Sequence, residues 1–121
     1  MCQSKSGTYI LILNLKKTCK IKVGSLGTIS FNPGIYAYVG SGIKSLDKRI
    51  ERHLKKKKKL YWHIDYFLKK AAIKAIITIE SEKRMECEIA HHLSKHFEVI
   101  EKFGSSDCHC KGHLFILKRG S

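Results

Sequence analysis

Residues 34–63 read GIYAYVGSGIKSLDKRIERHLKKKKKLYWH, and the prediction of the fold starts from this segment. It begins with a strand-like run in which Tyr36 and Tyr38 lie two apart and therefore share one face. The Gly-Ser-Gly sequence at 40–42 is predicted to end this strand. A helix is predicted to follow, with Ser45 at its N-cap.

The predicted helix places two polar side chains at the edge of its buried face. Its apolar stripe follows helical spacing: Leu46, Ile50 and Leu54. Arg49 and His53 fall beside that stripe, one turn apart. The other charged side chains are predicted to point away from it: Lys48, Glu51, Arg52 and Lys55. Because a buried, unpaired guanidinium is costly, Arg49 in this position indicates a polar site.

The remaining segments predict an α/β fold of the α+β kind, as a single domain over residues 1–121. Gly7–Leu15 is nearly all apolar, which predicts a central strand buried on both faces, and Ala72–Ile79 predicts another interior strand. The alternating segment Cys19–Phe31 predicts a hairpin that extends or edges the sheet. Two further helices are predicted: Leu60–Leu68 and Glu80–His96. We expect a central, mostly antiparallel sheet of about four to six strands flanked by about three helices.

The charge of the chain favours a polyanionic partner. Its 24 Lys and Arg against 10 Asp and Glu leave a formal charge of +14 over 121 residues. A field of this sign attracts nucleic acid first and an anionic membrane surface second. No apolar run approaches the length of a membrane span, so we expect nucleic acid and no membrane as the partner.

The cysteine count and the first residues indicate the compartment. The five cysteines are an odd number, and no signal peptide is visible at the start of the chain. We therefore expect a cytoplasmic protein in a reducing, intracellular environment, with most of its cysteines reduced.

Two parts of the sequence resemble the motif of a known nuclease superfamily, and four segments resemble features of one of its subfamilies. Tyr38-Val39-Gly40, followed by Arg49 and His53, is similar to the second half of the GIY-YIG nuclease motif, and Gly7-Thr8-Tyr9 to its first half. Within that superfamily the chain resembles an archaeal-type, DUF123-like subfamily labelled a domain of unknown function. Features of the subfamily match four segments, within a resemblance that covers residues 7–115: Tyr38–Ser41, Arg49–His53, Trp62–Tyr66 and Ser105–Phe115.

The resemblance implies a metal-dependent endonuclease that hydrolyses phosphodiester bonds, with DNA favoured over RNA. In the roles that it implies, Tyr9 is the general base and Tyr38 supports it. Arg49 would grip the phosphate through its planar fork. His53 would orient a tyrosine or the attacking water. A matching position in some family members makes His63 a further catalytic candidate.

The resemblance also implies one carboxylate that holds Mg²⁺ or Mn²⁺, both of which prefer oxygen ligands. The matching position is Glu88. If Met85 is on the buried side of the third predicted helix, Glu88 falls beside that side and Glu86 points elsewhere. Helical phasing therefore predicts that Glu88, and not Glu86, faces the site.

The first-half tyrosine has a competitor. The hairpin Cys19–Phe31 is inserted between the two halves of the motif, which the family pattern separates by a short turn. A literal GIY also occurs at Gly34–Tyr36. Only Ala37 lies between it and the YVG sequence, which is too little chain to form two neighbouring strands. We therefore assign the role to Tyr9 and keep Tyr36 as the alternative.

A run of lysines follows the first helix: Lys55, Lys56, Lys57, Lys58 and Lys59. It predicts either a patch that tracks phosphates or a solvated surface segment. Trp62 comes soon after it and is expected either to stack on a base or to join the core.

The late loop holds soft metal ligands. Cys108, Cys110 and His113 follow a C-x-C-x-x-H spacing, which differs from the C-x-x-C of tight zinc turns. A fourth ligand would have to come from scattered residues: Cys2, Cys19, Cys87 or His109. We expect a structural loop in preference to zinc.

A second function stays open at this point. A non-catalytic nucleic-acid-binding module could keep the same fold and charge, and a small domain of this kind could rely on a protein partner for specificity. Retention of Arg49 and Glu88 favours the nuclease, whereas the inserted hairpin favours the module.

Overall fold

The computed structural model describes residues 5–56, 58–60, 62–104 and 110–120. Its strands, in chain order, are β1 (Gly7–Leu15), β2 (Cys19–Lys22), β3 (Thr28–Phe31), β4 (Gly34–Gly42), β5 (Ala72–Glu80), β6 (Glu98–Ile100) and β7 (Leu114–Arg119). Its helices are α1 (Leu46–Leu54), α2 (His63–Phe67) and α3 (Glu86–Ser94). A short 3-10 turn, Gly24–Leu26, joins β2 to β3.

The main sheet has five strands in the order β5-β1-β4-β7-β6, and every neighbouring pair is antiparallel. The α+β fold class is therefore confirmed. β1 and β4 pair along their whole length, from Gly7 opposite Gly42 to Leu15 opposite Gly34. The segments 7–9 and 38–40, on which the resemblance is based, therefore lie on adjacent strands.

Each face of the sheet has its own apolar cluster. The larger cluster includes Tyr9, Leu11 and Tyr36 of the sheet together with residues of α1 and α2. The smaller one packs Val39 and Phe115 against Ala90 of α3. Since Tyr9 and Val39 lie on opposite faces, α1 and α3 approach the same strands from the two sides of the sheet.

The prediction that Gly-Ser-Gly ends the strand is wrong, because β4 continues to Gly42. Glycine is needed here for close approach. A Cβ on Gly40 would lie 2.5 Å from Cζ of Tyr9, and one on Gly42 would lie 3.0 Å from the Leu46 backbone. Because Gly40 and Gly42 have no side chains, the Tyr9 ring and the start of α1 can pack closely against the end of β4.

The inserted hairpin does not join the main sheet, contrary to the prediction. β2 and β3 form a separate two-stranded sheet. Its alternating sequence gives one apolar face, and that face packs on α2: the rings of Phe31 and Phe67 lie 4.9 Å apart. The hairpin thus covers the core and leaves the edges of the main sheet unchanged.

The prediction that Ala72–Ile79 is an interior strand is also wrong. In the main sheet β5 is an edge strand that pairs with β1, and Ile77 is 47% exposed. An apolar run alone does not distinguish an edge strand with one packed neighbour from a central strand.

Both later helices are shorter than predicted. In α2 the Asp65 carboxylate accepts the Trp62 backbone N–H, a capping contact that starts the helix at His63. Glu80 is the last residue of β5, where a helix was predicted to begin. The next residue, Ser81, donates its N–H to the Ser6 carbonyl, so backbone hydrogen bonding between the two segments continues past the strand. As a result α3 starts at Glu86.

Candidate active site

A buried hydrogen bond between β1 and α1 forms the centre of the candidate site. The Tyr9 hydroxyl lies 2.6 Å from Nε2 of His53. Both residues are buried, and the His53 residue is only 3% exposed. β1 supplies the phenol, and α1 supplies the imidazole because His53 lies beside the apolar side that packs on the sheet.

Burial keeps both partners of this bond uncharged. Burial first, and the charge of Lys58 second, lower the pKa of His53 to about 4. Burial also raises the pKa of Tyr9, an effect that the nearby Arg49 charge opposes. The hydrogen bond therefore joins a neutral phenol to a neutral imidazole at pH 7.

We expect His53 to make the stability of the protein depend on pH below about 6.5, its ordinary pKa. The unfolded chain binds the His53 proton at higher pH than the folded chain does, so protonation favours unfolding. The contribution of neutral His53 is complete above that value and falls as the pH decreases towards about 4. It amounts to about 2–3 kcal/mol, measurable by urea unfolding between these two pH values.

The matched variant is His53→Gln, which keeps a side-chain hydrogen-bonding group without a titrating ring. His63 and His113 also have pKa values lowered by burial, so the wild type keeps other pH-dependent contributions. The difference in slope between wild type and variant isolates His53. Equal slopes would contradict the assignment.

Tyr38 brings a second phenol to the same site. Its ring lies 6.2 Å from the His53 ring, and burial followed by the proximity of Tyr9 raises its pKa. Gly104, in the left-handed region at φ 71°, lies against it, because a Cβ there would be 3.1 Å from Cε1 of Tyr38. Tyr36 packs elsewhere: its hydroxyl donates to the Asn32 carbonyl at 2.6 Å. Between the two candidates, Tyr9 is thus the tyrosine that meets His53.

Two arginines of α1 share the face of Trp62 but differ in their partners. The guanidinium carbons of Arg49 and Arg52 lie 4.9 Å and 4.4 Å from the Trp62 ring centre. Arg52 also donates to both carboxylate oxygens of Asp65, at 2.8 Å and 2.9 Å. Among the residues that the structure describes, Arg49 forms no ion pair with a carboxylate. Of these two arginines, Arg49 is therefore the one whose charge is open to an anionic ligand.

The prediction that Arg52 points away from the apolar stripe did not include the contact that it makes with Asp65. Its Asp65 partner is fully buried, so the pair is part of the packing between α1 and α2. An acidic residue within an otherwise apolar helical segment was the available signal, since a buried carboxylate requires a cation.

The helical phasing of the two glutamates is also wrong. Glu88 is exposed, whereas the Glu86 side chain is 23% exposed and places Oε2 at 3.6 Å from Nδ1 of His113. After burial and the proximity of Tyr9, the Glu86 charge contributes to the raised pKa of Tyr38. The error arises because α3 begins at Glu86, so the reference residue Met85 is its N-cap and lies outside the helix.

His63 contacts the turn before the late loop. Its Nδ1 accepts the backbone N–H of Gly104 at 2.8 Å, and its ring packs against Phe103 at 5.7 Å. These contacts position the glycine that lies against Tyr38. Within the described ranges, His63 makes no hydrogen bond to the Tyr9–His53 pair.

The lysine run divides into two parts. Nζ of Lys58 donates to the carbonyls of Arg52 and His53, at 3.0 Å and 2.7 Å, and so caps the end of α1. Three other lysines are exposed: Lys55, Lys56 and Lys59. Lys57 lies outside the described residues. A groove of about 720 Å³ borders His53, Lys55 and Lys56, so the run adjoins the candidate site.

The late loop contributes two ligand-type side chains to a different cluster. Cys108 lies outside the described residues, but Cys110 and His113 are described. They meet Cys87 of α3, and one ligand atom from each of the three lies within 4.8 Å of the others. The sequence had indicated Cys87 only as one of several scattered candidates for a further ligand.

The sequence of the chain also matches a protein family. The sequence pattern of the family described as "Domain of unknown function DUF123" matches residues 8–121. The chain belongs to the DUF123 family. No curated protein and no solved structure was found to match this DUF123 chain. Among the described residues, no helix is long and apolar enough to span a bilayer.

The DUF123 site offers one carboxylate for a divalent cation. Glu86 presents an oxygen donor on a side chain that is 23% exposed, and its charge is close enough to Tyr9 and Tyr38 to contribute to the raised pKa of both phenols. This donor suits a hard cation such as Mg²⁺ or Mn²⁺, which keeps several water ligands when the protein supplies one or two carboxylates. The residues present therefore fit the cation that the resemblance implies, with Glu86 in the place of Glu88.

Proposed function

We propose that this DUF123 protein is a metal-dependent endonuclease of the GIY-YIG type that hydrolyses phosphodiester bonds, with DNA favoured over RNA. The observation that carries the proposal is the buried hydrogen bond between Tyr9 and His53. His53 lies on the same helix as Arg49, a cation without a carboxylate partner in the described chain. Phosphodiester hydrolysis needs a proton acceptor and a cation at the phosphate, and this arrangement supplies both.

In this proposal each side chain has one task. Arg49 binds the phosphate through its planar fork, and Trp62 holds the guanidinium in place. Tyr9 removes a proton from the attacking water, and neutral His53 can receive the phenol proton at Nε2. Glu86 would hold Mg²⁺ or Mn²⁺, and such a cation supplies Lewis-acid stabilisation of charge at the scissile phosphate.

The surface around the site favours a polyanion. The charge of +14 raises the local concentration of nucleic acid, and the groove beside His53 is lined by Lys55, Lys56 and Lys69 among others. The proposal places the protein in the cytoplasm, in a reducing environment, with a protein partner as a source of substrate specificity.

We expect the exposed lysines to contribute to binding, measured as the slope of log affinity against log salt concentration. Replacing Lys55, Lys56 and Lys59 by glutamine should flatten the slope by roughly 0.7–0.9 for each phosphate that the variant no longer neutralises. The matched control is Lys58→Gln, since Lys58 caps α1 and should lower stability with little effect on the slope. If the triple variant keeps the wild-type slope, the run is only a solvated surface.

A non-catalytic nucleic-acid-binding module is the second candidate. Burial raises the pKa of both Tyr9 and Tyr38, which disfavours the phenolate that a general base needs. Glu86 is also a single carboxylate. These two features would be expected if the fold bound nucleic acid without cleaving it.

Incubation with labelled DNA distinguishes the two candidates. Branched, flapped and single-stranded substrates are incubated with Mg²⁺, with Mn²⁺ and with chelator, and the same assays are run on Arg49→Ala. The nuclease proposal predicts cleavage that requires metal and is abolished in the variant. Salt-dependent binding without cleavage under any of these conditions would favour the module.

A further inference from the structure

The cluster formed by Cys87, Cys110 and His113 lies on the α3 side of the main sheet. Cys87 is in the first turn of α3, and Cys110 and His113 precede β7. Their exposure decreases in steps: Cys87 is exposed, Cys110 is half-buried and His113 is buried. Two separate parts of the chain thus present three soft donors to one point that is open to solvent on one side.

The donors match the preference of one class of metal ion. Two thiolates and an imidazole suit zinc, which binds sulfur at about 2.3 Å and nitrogen at about 2.0–2.1 Å. In a tetrahedral site these bonds place ligand atoms about 3.5–3.8 Å apart. The three donor atoms already lie within 4.8 Å of one another, so small side-chain rotations would close the site.

The surroundings of His113 resemble those of metal-binding histidines. Oε2 of Glu86 lies 3.6 Å from Nδ1 of His113. Metal-binding histidines commonly have a carboxylate beside the ring that helps to orient it. Glu86 would thereby be positioned by the cluster, and this last point alone rests on the proposed nuclease function.

We propose that Cys87, Cys110 and His113 bind a zinc ion that ties the start of α3 to the start of β7. This set differs from the one that the sequence indicated, because Cys87 comes from a helix more than twenty residues away. The fourth position is left to water. Zinc here would stabilise the packing of the short helix α3 on the sheet, which otherwise depends largely on Ala90, Ile89 and Leu93.

Metal analysis of the full chain tests the proposal. Protein purified under reducing conditions without chelator should contain one equivalent of zinc, and Cys87→Ser and Cys110→Ser should each lose it. Cys19→Ser is the matched control, since Cys19 lies on β2 and its thiol donates to the Lys17 carbonyl. Cys87 is exposed, so its replacement does not disturb the core.

A second measurement does not depend on metal recovery. Chelator should lower the thermal midpoint of the wild type and of Cys19→Ser by at least about 5 °C, and leave Cys87→Ser unchanged. Zinc retained by both cluster variants would overturn the proposal, as would reduced wild type that takes up no zinc when it is supplied. Neither assay contains nucleic acid, so failure here is distinct from failure of the nuclease proposal.

Discussion

Replacing Glu86 by glutamine is expected to lower the rate of metal-dependent cleavage by at least about 100-fold, whereas Glu88→Gln should change it by less than about two-fold. Glutamine keeps the shape of the side chain but removes the charge that a divalent cation requires. The charge of the half-buried Glu86 acts on Tyr9 and Tyr38, whereas Glu88 is exposed on the same helix. The measurement is a single-turnover cleavage rate at saturating Mg²⁺.

The two variants are matched controls for each other, because they make the same chemical change two residues apart in α3. Circular dichroism and the thermal midpoint should be similar in both, which excludes unfolding as the cause of a rate difference. A loss of cleavage in Glu88→Gln with full activity in Glu86→Gln would show that the orientation of α3 is wrongly assigned.

Arg52→Met is expected to reduce the free energy of unfolding by about 3 kcal/mol, the largest stability effect that we predict. Asp65 is 0% exposed, so removing its partner leaves a buried carboxylate without its bidentate cation. The side chain of Arg52 is itself 26% exposed, which places the effect at the lower end of the range for buried pairs. Urea unfolding measures it.

Arg49→Met is the matched control, since both arginines lie on α1 against the Trp62 ring. Arg49 has no carboxylate partner among the described residues, so this variant should lose less than about 1 kcal/mol of stability. It should lose cleavage instead. If Arg52→Met were as stable as Arg49→Met, the Arg52–Asp65 pair would not be the link between α1 and α2.

The sequence was sufficient for the paired strands and most of the polar site. The long apolar run of β1 and the two tyrosines spaced two apart on β4 are local patterns, and both predicted strands are present and adjacent. Arg49 and His53 were assigned correctly to the side of α1 that faces the sheet, because that helix begins where its N-cap residue predicts. The prediction that Leu54 belongs to the apolar stripe is wrong, since Leu54 is 55% exposed and His53 is buried in its place. Local periodicity decides such positions.

The features that the sequence did not predict depend on contacts between distant segments of the chain. The start of α3 is set by how far β5 pairs with β1, so the choice between Glu86 and Glu88 could not be read from helical spacing alone. The Arg52–Asp65 pair and the Cys87–Cys110–His113 cluster each join residues from different elements. An amphipathic pattern identifies the buried side of one helix but not the partner that meets it.

The most direct test of the proposed function is single-turnover cleavage of a labelled branched DNA by the wild type and by Arg49→Ala. Protein is used well above the dissociation constant of each, so that binding and cleavage are separated. We predict cleavage by the wild type with Mg²⁺ or Mn²⁺, none with chelator, and a rate at least about 100-fold lower in the variant despite full binding. Full binding by the wild type without cleavage in either metal would contradict the proposal.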